Sequence, residues 1–367
     1  MKKLLIITDS EYYLDSEGRL SLFHSVFNEM ESIQFEFGSQ ELIGLRIRNY
    51  RNQFLESKSG LKVIKTNTLH SKNLRLELFW TSIKGVLELL KPNSPKYVHV
   101  RGPSIVMFVV LVCTPLFPNK KFWFKYANVW NESGRSFFWD IQKWLLTKQN
   151  NIKVTINGHW PNLPMHIIPF ENPCFFVEDL KKNSAINKNW NVAKKLIFVG
   201  RITEDKGIFR ILNALKGDFS EMVFVGNGKD FKKLELEIQK HPMREKIRVF
   251  GEASKITVMK LLSEAHLLLL PTTSPEGFPK VISEAWMNKC IPVTSDISSI
   301  PQYVVDGKTG FLWVRNNESW EDAFVRALMI NGDSYDAMEI EIKQMLPKFT
   351  YEYFGDRIVR EIFLNEG

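Results

Sequence analysis

Short runs of aliphatic and β-branched residues alternate with stretches of helical length along most of the chain. That alternation is the pattern of parallel strands covered by helices. In the first half, Leu4–Thr8, Tyr97–Val100, Lys121–Tyr126 and Lys153–Ile156 read as strands. In the second half, Leu196–Val199, Met222–Val225, Ile247–Phe250, Leu267–Leu270 and Pro292–Thr294 read the same way. Each is followed by a turn and a segment able to form a helix. The pattern breaks between Pro169 and Asn191, where Pro169, Pro173 and the polar run from Lys181 to Asn189 precede a fresh strand. Such composition is linker-like. The expected architecture is α/β, with two Rossmann-like α/β/α domains facing a central cleft. The first covers residues 1–170, a linker 171–192, and the second 193–367. The helix-like stretch 351–364 falls outside the alternation and is left free to pack back on the first domain.

Composition supports two cores. The 367 residues are 44% hydrophobic and 13% aromatic, which excludes a disordered chain. Three cysteines, Cys113, Cys174 and Cys290, lie far apart without C-x-x-C spacing. A disulfide scaffold and a zinc ribbon are excluded, and a reducing cytosol fits. The longest apolar stretch, Ile105 to Phe117, contains Thr114 and Pro115 and is shorter than the roughly 20 residues a membrane span requires. It reads as a buried helix. No apolar leader precedes Leu4, so the expectation is a cytoplasmic protein without an export signal.

Charge separates the halves. Residues 1–170 carry 22 Lys and Arg against 13 Asp and Glu, a surplus above the +8 of the whole chain. A basic half suits a phosphate-bearing substrate, an anionic membrane surface or nucleic acid, and a plain solvated face suits it equally. Nucleic acid ranks last, because no RNP-type or zinc-finger signature is present. Lys120, Lys121, Trp123, Trp130, Arg135, Trp139, Lys143 and Trp144 mix cations with tryptophan, as peripheral contact with anionic lipid would require.

Candidate chemistry concentrates after the strands of the second half. The stretch Pro271 to Trp286 reads P-T-T-S-P-E-G-F-P-K-V-I-S-E-A-W. Pro279 suits a first helical position, so the helix N-terminus, with its free N–H groups and positive dipole end, offers a phosphate site. Gly277 allows close backbone approach. Glu276 and Glu284 flank this helix start, and carboxylates accept paired hydrogen bonds from vicinal hydroxyls. A phosphate site between two such carboxylates describes a nucleotide-sugar. Arg201 and Lys206 follow Leu196–Val199 in G-R-I-T-E-D-K-G, where two cations can clamp a diphosphate. Gly226-Asn-Gly228 follows Met222–Val225, and Gly251 follows Ile247–Phe250. Phe231 stands where G-x-G-x-x-G needs its third glycine, which weakens a dinucleotide reading.

In order and spacing, these elements resemble the C-terminal domain of the GT-B glycosyltransferases, specifically family 4, the retaining group with an E-x7-E element. The matching elements are G-R-x-x-x-x-K-G at 200–207, V-G-N-G at 225–228, E-G-F-P-K-V-x-S-E-A at 276–285, P-V at 292–293 and D-G-K-T-G-F-L at 306–312. The resemblance implies a retaining transferase that moves a hexose from a nucleotide diphosphate to an acceptor hydroxyl, with no metal or other cofactor. Arg201 and Lys206 would hold the diphosphate and Glu284 the ribose. Glu276, with the backbone of Gly277, Phe278, Pro279, Lys280 and Val281, would face the sugar. Phe250 and Gly251 would border the base, and Gly200 and Gly226 would lie beside the donor. Glu276, Arg201 and Lys206 are the expected catalytic residues.

The first half departs from the family pattern. Relatives place a glycine pair after the first strand, whereas here only Gly18 follows, beyond an aromatic loop with Tyr12 and Tyr13; it is assigned to the donor phosphate. The histidine that many relatives carry after the strand matching Lys121–Tyr126 is absent. Arg101, Lys125 and Asn128 are assigned to the acceptor instead, and His99 reads as a core residue. The expected acceptor is a sugar or lipid-linked saccharide in bacterial surface polysaccharide synthesis, reached at the inner face of the cytoplasmic membrane. Two alternatives stay open: a non-catalytic nucleotide-sugar-binding partner of a transferase, and an epimerase or phosphorylase on the same fold.

Overall fold

The computed structural model describes residues 2–34, 36–47, 54–56, 61–64, 74–131, 137–275 and 277–364. The chain forms two units, Met1–Glu171 with Tyr351–Gly367, and Asn172–Thr350.

In the first unit the described strands are β1 (Lys3–Leu14), β2 (Leu20–Phe23), β3 (Ser39–Arg46), β4 (Phe54–Glu56), β5 (Leu61–Val63), β6 (Tyr97–Gly102), β7 (Lys121–Tyr126), β8 (Lys153–Asn157) and β9 (Ile167–Phe170). Helices α1 (His24–Glu31), α2 (Leu74–Leu89), α3 (Ile105–Cys113) and α4 (Phe137–Lys148) accompany them. The sheet runs β5-β3-β1-β6-β7-β8-β9 in parallel, while β2 and β4 add antiparallel pairs beyond a bulge in β1. The Tyr12–Tyr13 segment, expected as a loop, is therefore strand: Tyr12 pairs with Leu22 and its ring is fully buried. Aromatic residues favour a pleated, half-buried surface, and here that preference prevails over a turn.

Alternation along β1 sorts its side chains onto two faces. Leu5 and Ile7 join a cluster with Val106, Val110 and Phe124 under α3. Leu4 and Ile6 join Trp123 and the C-terminal residues Phe354, Ile358, Ile362 and Phe363. Tyr351–Leu364 thus closes one face of this sheet, with the Phe363 ring edge-on to Phe37, Tyr97 and Trp123. Arg357 fixes it by donating to Glu171 at 2.8 Å and to the Pro169 carbonyl at 3.0 Å.

The second unit holds α5 (Val177–Asn183), α6 (Ile208–Ala214), α7 (Phe231–Lys240), α8 (Lys255–Glu264), α9 (Lys280–Met287), α10 (Trp320–Leu328) and α11 (Gly332–Met345). Its strands are β10 (Lys194–Val199), β11 (Phe219–Val225), β12 (Ile247–Gly251), β13 (Leu267–Leu270), β14 (Ile291–Ser295) and β15 (Phe311–Trp313). All are parallel, in the order β12-β11-β10-β13-β14-β15. The stretch 172–192 is packed into this unit: it contains α5, and Trp190 is buried against the Tyr335 ring at 4.4 Å. Among the described residues, no helix is long and apolar enough to cross a membrane.

His266, one residue before β13, ties this stretch to the sheet. Its Nδ1 accepts from the Lys195 N–H at 3.0 Å, so the proton sits on Nε2, which faces the Asn189 carbonyl at 3.0 Å. Burial, aided by Lys188, Lys194 and Lys195 and opposed by the bond to Asn189, pushes its pKa down to about 4. The unfolded chain, with an ordinary imidazole near 6.5, binds more protons between those values. This contribution is complete above pH about 6.5 and is lost as pH falls toward about 4. Urea midpoints should therefore drop over that interval, and His266→Gln should flatten the drop. Parallel pH curves for the two proteins would contradict the assignment.

Candidate functional site

Strands β10, β11 and β12 step one way across the second sheet, and β13, β14 and β15 step the other. The reversal lies between β10 and β13, and open α/β sheets bind ligands at such a switch point, outside the strand C-termini. Two of the expected segments meet there. The Thr273 N–H donates to the Asp205 carbonyl at 2.9 Å, and the Arg210 guanidinium donates to the Pro271 carbonyl at 2.8 Å. Gly207 has a φ of +81°, and a Cβ there would stand 2.3 Å from the Pro271 oxygen. Only glycine fits.

The neighbouring loop is held in the same way. Gly200 N–H donates to Val225, Ile202 N–H to Asn227, and Gly226 N–H to Gly251. A Cβ on Gly226 would fall 1.9 Å from the Gly200 oxygen, and one on Gly228 would fall 2.4 Å from that of Ile202. These glycines bring the turns after β10 and β11 into backbone contact. Gly251, with a φ of +83°, instead borders open space, and Phe250 beside it is 40% exposed under the Arg248 guanidinium.

The cations differ in setting. Arg201 is exposed, whereas Lys206 is buried in a short 3-10 turn. Asp205 lies between them in sequence. Burial raises its pKa, but hydrogen bonds with Thr203 and Ser274 and the charges of Lys206 and Arg201 outweigh burial and hold the carboxyl below its ordinary range. Asp205 thus fastens the cation-bearing turn to the loop after β13. Neither Asp205 nor Ser274 is among the expected site residues, because each looks like a turn former in sequence.

Helix α9 begins one residue later than expected: Pro279, with ψ 119°, is the N-cap and Lys280 the first helical residue. Proline brings no side-chain acceptor, and the Ile282 N–H of the first turn closes back on the Pro279 carbonyl at 3.0 Å. The Phe278 ring turns away into the core, 4.8 Å from Tyr303 and 5.2 Å from Phe349. Its carbonyl accepts from Asn172 at 3.2 Å, and Lys280 Nζ donates to the Pro173 carbonyl at 2.8 Å. Any contribution of Phe278 to a ligand runs through its backbone. Val281 is half-buried against the same core, and Gly277 is half-exposed before it. Glu284, only 9% exposed, is ion-paired with Lys255 from the start of α8. Lys255 belongs to no motif, so sequence reasoning missed it. Glu276 lies outside the described residues.

The remaining expected residues lie in the first unit. Gly18, φ +79°, completes the β1–β2 hairpin turn, with its N–H on the Asp15 carbonyl at 3.1 Å. Arg101 is the penultimate residue of β6 and Lys125 lies in β7, and both side chains close on the buried Glu29 of α1, Lys125 at 2.8 Å. Asn128 is half-buried, its carbonyl oxygen accepting from the Val129 N–H at 2.8 Å. Asp9 nearby has a raised pKa through burial, with the Arg101 charge opposing. His99 is fully buried, stacked 3.6 Å from the Trp123 ring, and burial holds it neutral.

Residues 178–345, all within the second unit, match the family model described as Glycosyl transferases group 1. An uncharacterized glycosyltransferase of Methanocaldococcus jannaschii is 25% identical over 156 residues, 42% of this chain and 44% of that protein. A Salmonella typhimurium protein named as a colanic acid biosynthesis glycosyltransferase, WcaL, is 26% identical over 179 residues, 46% of this chain and 43% of that one. The chain matches less than half the length of these two relatives. The crystal structure of Anabaena HepE in complex with UDP-glucose superposes with a TM-score of 0.68 at 13% identity, covering 98% of this chain and 99% of that one. The fold is that of the GT-B glycosyltransferases.

Collision and backbone conformation can be separated at two of the glycines. Gly226→Ala should lower stability by about 1–3 kcal/mol, because backbone must shift. Gly251→Ala should cost about 1 kcal/mol, for its positive φ alone. Urea denaturation measures both, and a Gly251→Ala loss equal to or above that of Gly226→Ala would contradict the packing described.

Proposed function

We propose that the chain is a retaining, metal-independent glycosyltransferase of the E-x7-E group, transferring a hexose from a nucleotide-diphosphate sugar to a hydroxyl of a saccharide or lipid-linked saccharide. The observation that carries the reading is the joining of the Arg201–Lys206 turn to the loop after β13, beside the β10/β13 switch point, by the bonds of Asp205 with Thr273 and Ser274. In the reaction, the bond from the anomeric carbon to the diphosphate breaks and one to the acceptor oxygen forms. The acceptor proton leaves with the departing diphosphate. Negative charge grows on that group, and cations held beside it would lower the barrier. Supplied by side chains, that charge makes a bound metal unnecessary.

Glu284 would accept the ribose hydroxyls once Lys255 yields, and Glu276 would face the hexose. Phe250 and Gly251 would border the base. The complex of HepE with UDP-glucose supports the donor class, and the name of WcaL supports a place in bacterial surface polysaccharide synthesis.

A second reading, a non-catalytic nucleotide-sugar binder, is kept by one observation: both acceptor-side cations, Arg101 and Lys125, are engaged by Glu29. Incubation with labelled UDP-hexoses and saccharide acceptors separates the two. Transfer with retained anomeric configuration, unchanged by EDTA, is expected. Lys206→Ala should lower turnover about 100-fold or more. Glu284→Ala should weaken donor binding about tenfold or more, with circular dichroism unchanged. Donor binding without any glycoside product would favour the second reading, and inversion of configuration would overturn the first.

A further inference from the structure

Helix α2 is apolar on its outward side as well as at the core. Its sheet-facing side carries the buried Thr81, Ser82, Gly85, Glu88 and Leu89, with Leu78 and Val86 half-buried against the same core. Gly85 lets the helix come within contact of Ile7 in β1: a Cβ there would stand 3.0 Å from the isoleucine side chain. The Ser82 hydroxyl is satisfied internally by the Leu78 carbonyl at 2.7 Å. The outward side is apolar too. Leu76, Trp80, Ile83, Leu87 and, just past the helix end, Leu90 follow one another at steps of four, three, four and three residues. That spacing makes a single stripe along a helix about 24 Å long. Trp80 is 58% exposed, Leu87 57% and Leu90 63%. Helix α3 packs beside α2, and Val112 and Leu116, at and beyond its end, are exposed as well. Contiguous apolar surface of this kind marks an interaction site.

We propose that this face docks on an anionic lipid surface. The rim decides the occupant. A groove beside the end of α2 is lined by Lys91, Lys96, Lys120 and Lys121, and Lys84 lies within the stripe. The acids of α2 are Glu77, in its first turn, and Glu88, which is buried and paired with Lys91. A tryptophan and leucines framed by lysines suit the boundary of acyl chains and anionic headgroups. Two copies of the face brought together would set these lysines against each other, which disfavours self-association. The surface coincides only in part with the one expected from sequence: Lys120 and Lys121 are shared, and Trp144 is exposed on α4. Trp123 is fully buried in β7, Trp130 and Trp139 are half-buried, Lys143 pairs with Asp140, and Arg135 lies outside the described residues. The proposal is independent of the reaction assigned above, since an inactive protein would dock equally well.

Co-sedimentation of the full chain with vesicles tests it, using phosphatidylcholine alone and phosphatidylcholine with about 30% phosphatidylglycerol. Binding is expected to the anionic vesicles only, and to fall in roughly 0.5 M salt. Leu87→Glu should abolish it, and Lys91→Gln with Lys96→Gln should weaken it about tenfold or more, both with native circular dichroism. If Leu87→Glu does not fold, the lysine pair, on exposed side chains, decides alone. Absence of binding, equal binding to neutral vesicles, or variants that bind like the parent would each overturn the proposal. So would a concentration-dependent dimer, seen by light scattering, that Leu87→Glu dissolves, because the face would then belong to a second copy.

Discussion

Main chain meets main chain at glycines 207, 226 and 228, and the geometry of the second unit depends on that contact. Each would place a Cβ within 2.4 Å of a carbonyl oxygen of a neighbouring loop. Any larger residue would push the turns after β10, β11 and β13 apart. With the turns together, Asp205 can reach Ser274 from its place beside Lys206 and Arg201, and the two loops that flank the switch point of the sheet are joined. The motif glycines therefore act first as spacers between loops. Gly251, by contrast, borders open space.

The two units treat their cations differently. In the second, Arg201 is exposed, so that its charge is open to a ligand. In the first, Arg101 and Lys125 share one buried carboxylate, Glu29, and Lys125 also lies 4.8 Å from the Phe354 ring of the C-terminal segment. Removing one member of such a buried cluster leaves the others uncompensated, which is costly. The first arrangement is built to hold α1, the strand ends and the C-terminal segment together. In the second, the Arg201 side chain stays at the surface, with Asp205 as the nearby carboxylate.

Much of this was legible in the chain itself. All nine strands read from apolar runs are present, and several extend by a few residues at either end. Short or edge strands such as β4, β5 and β15 carry too few residues for a periodic signal. The Tyr12–Tyr13 segment was misjudged because an aromatic pair before D-S-E-G looks like a loop, while its neighbours β2 and β3 make it a strand. The C-terminal stretch could not be placed by pattern alone, because its partners Trp123 and Phe37 lie more than 200 residues away. Around the expected site, Asp205, Lys255 and Asn172 gave no signal in the sequence, although each pairs with a motif residue or its neighbour. Their roles come from pairings across the fold, to which spacing is blind. The stripe on α2 has ordinary helical periodicity, and only burial reveals that it faces outward.

The central claim is that the switch point of the second unit holds a nucleotide diphosphate through its own side chains. A thermal-shift panel of UDP-, GDP-, ADP- and dTDP-sugars, with EDTA or magnesium, tests this most directly. Ligand at 100 times its dissociation constant adds about 2.7 kcal/mol to the native state. The account predicts stabilisation by one nucleotide class, equal with EDTA and magnesium, and lost in Lys206→Ala. No shift with any donor, a shift that requires magnesium, or one that survives Lys206→Ala would contradict it.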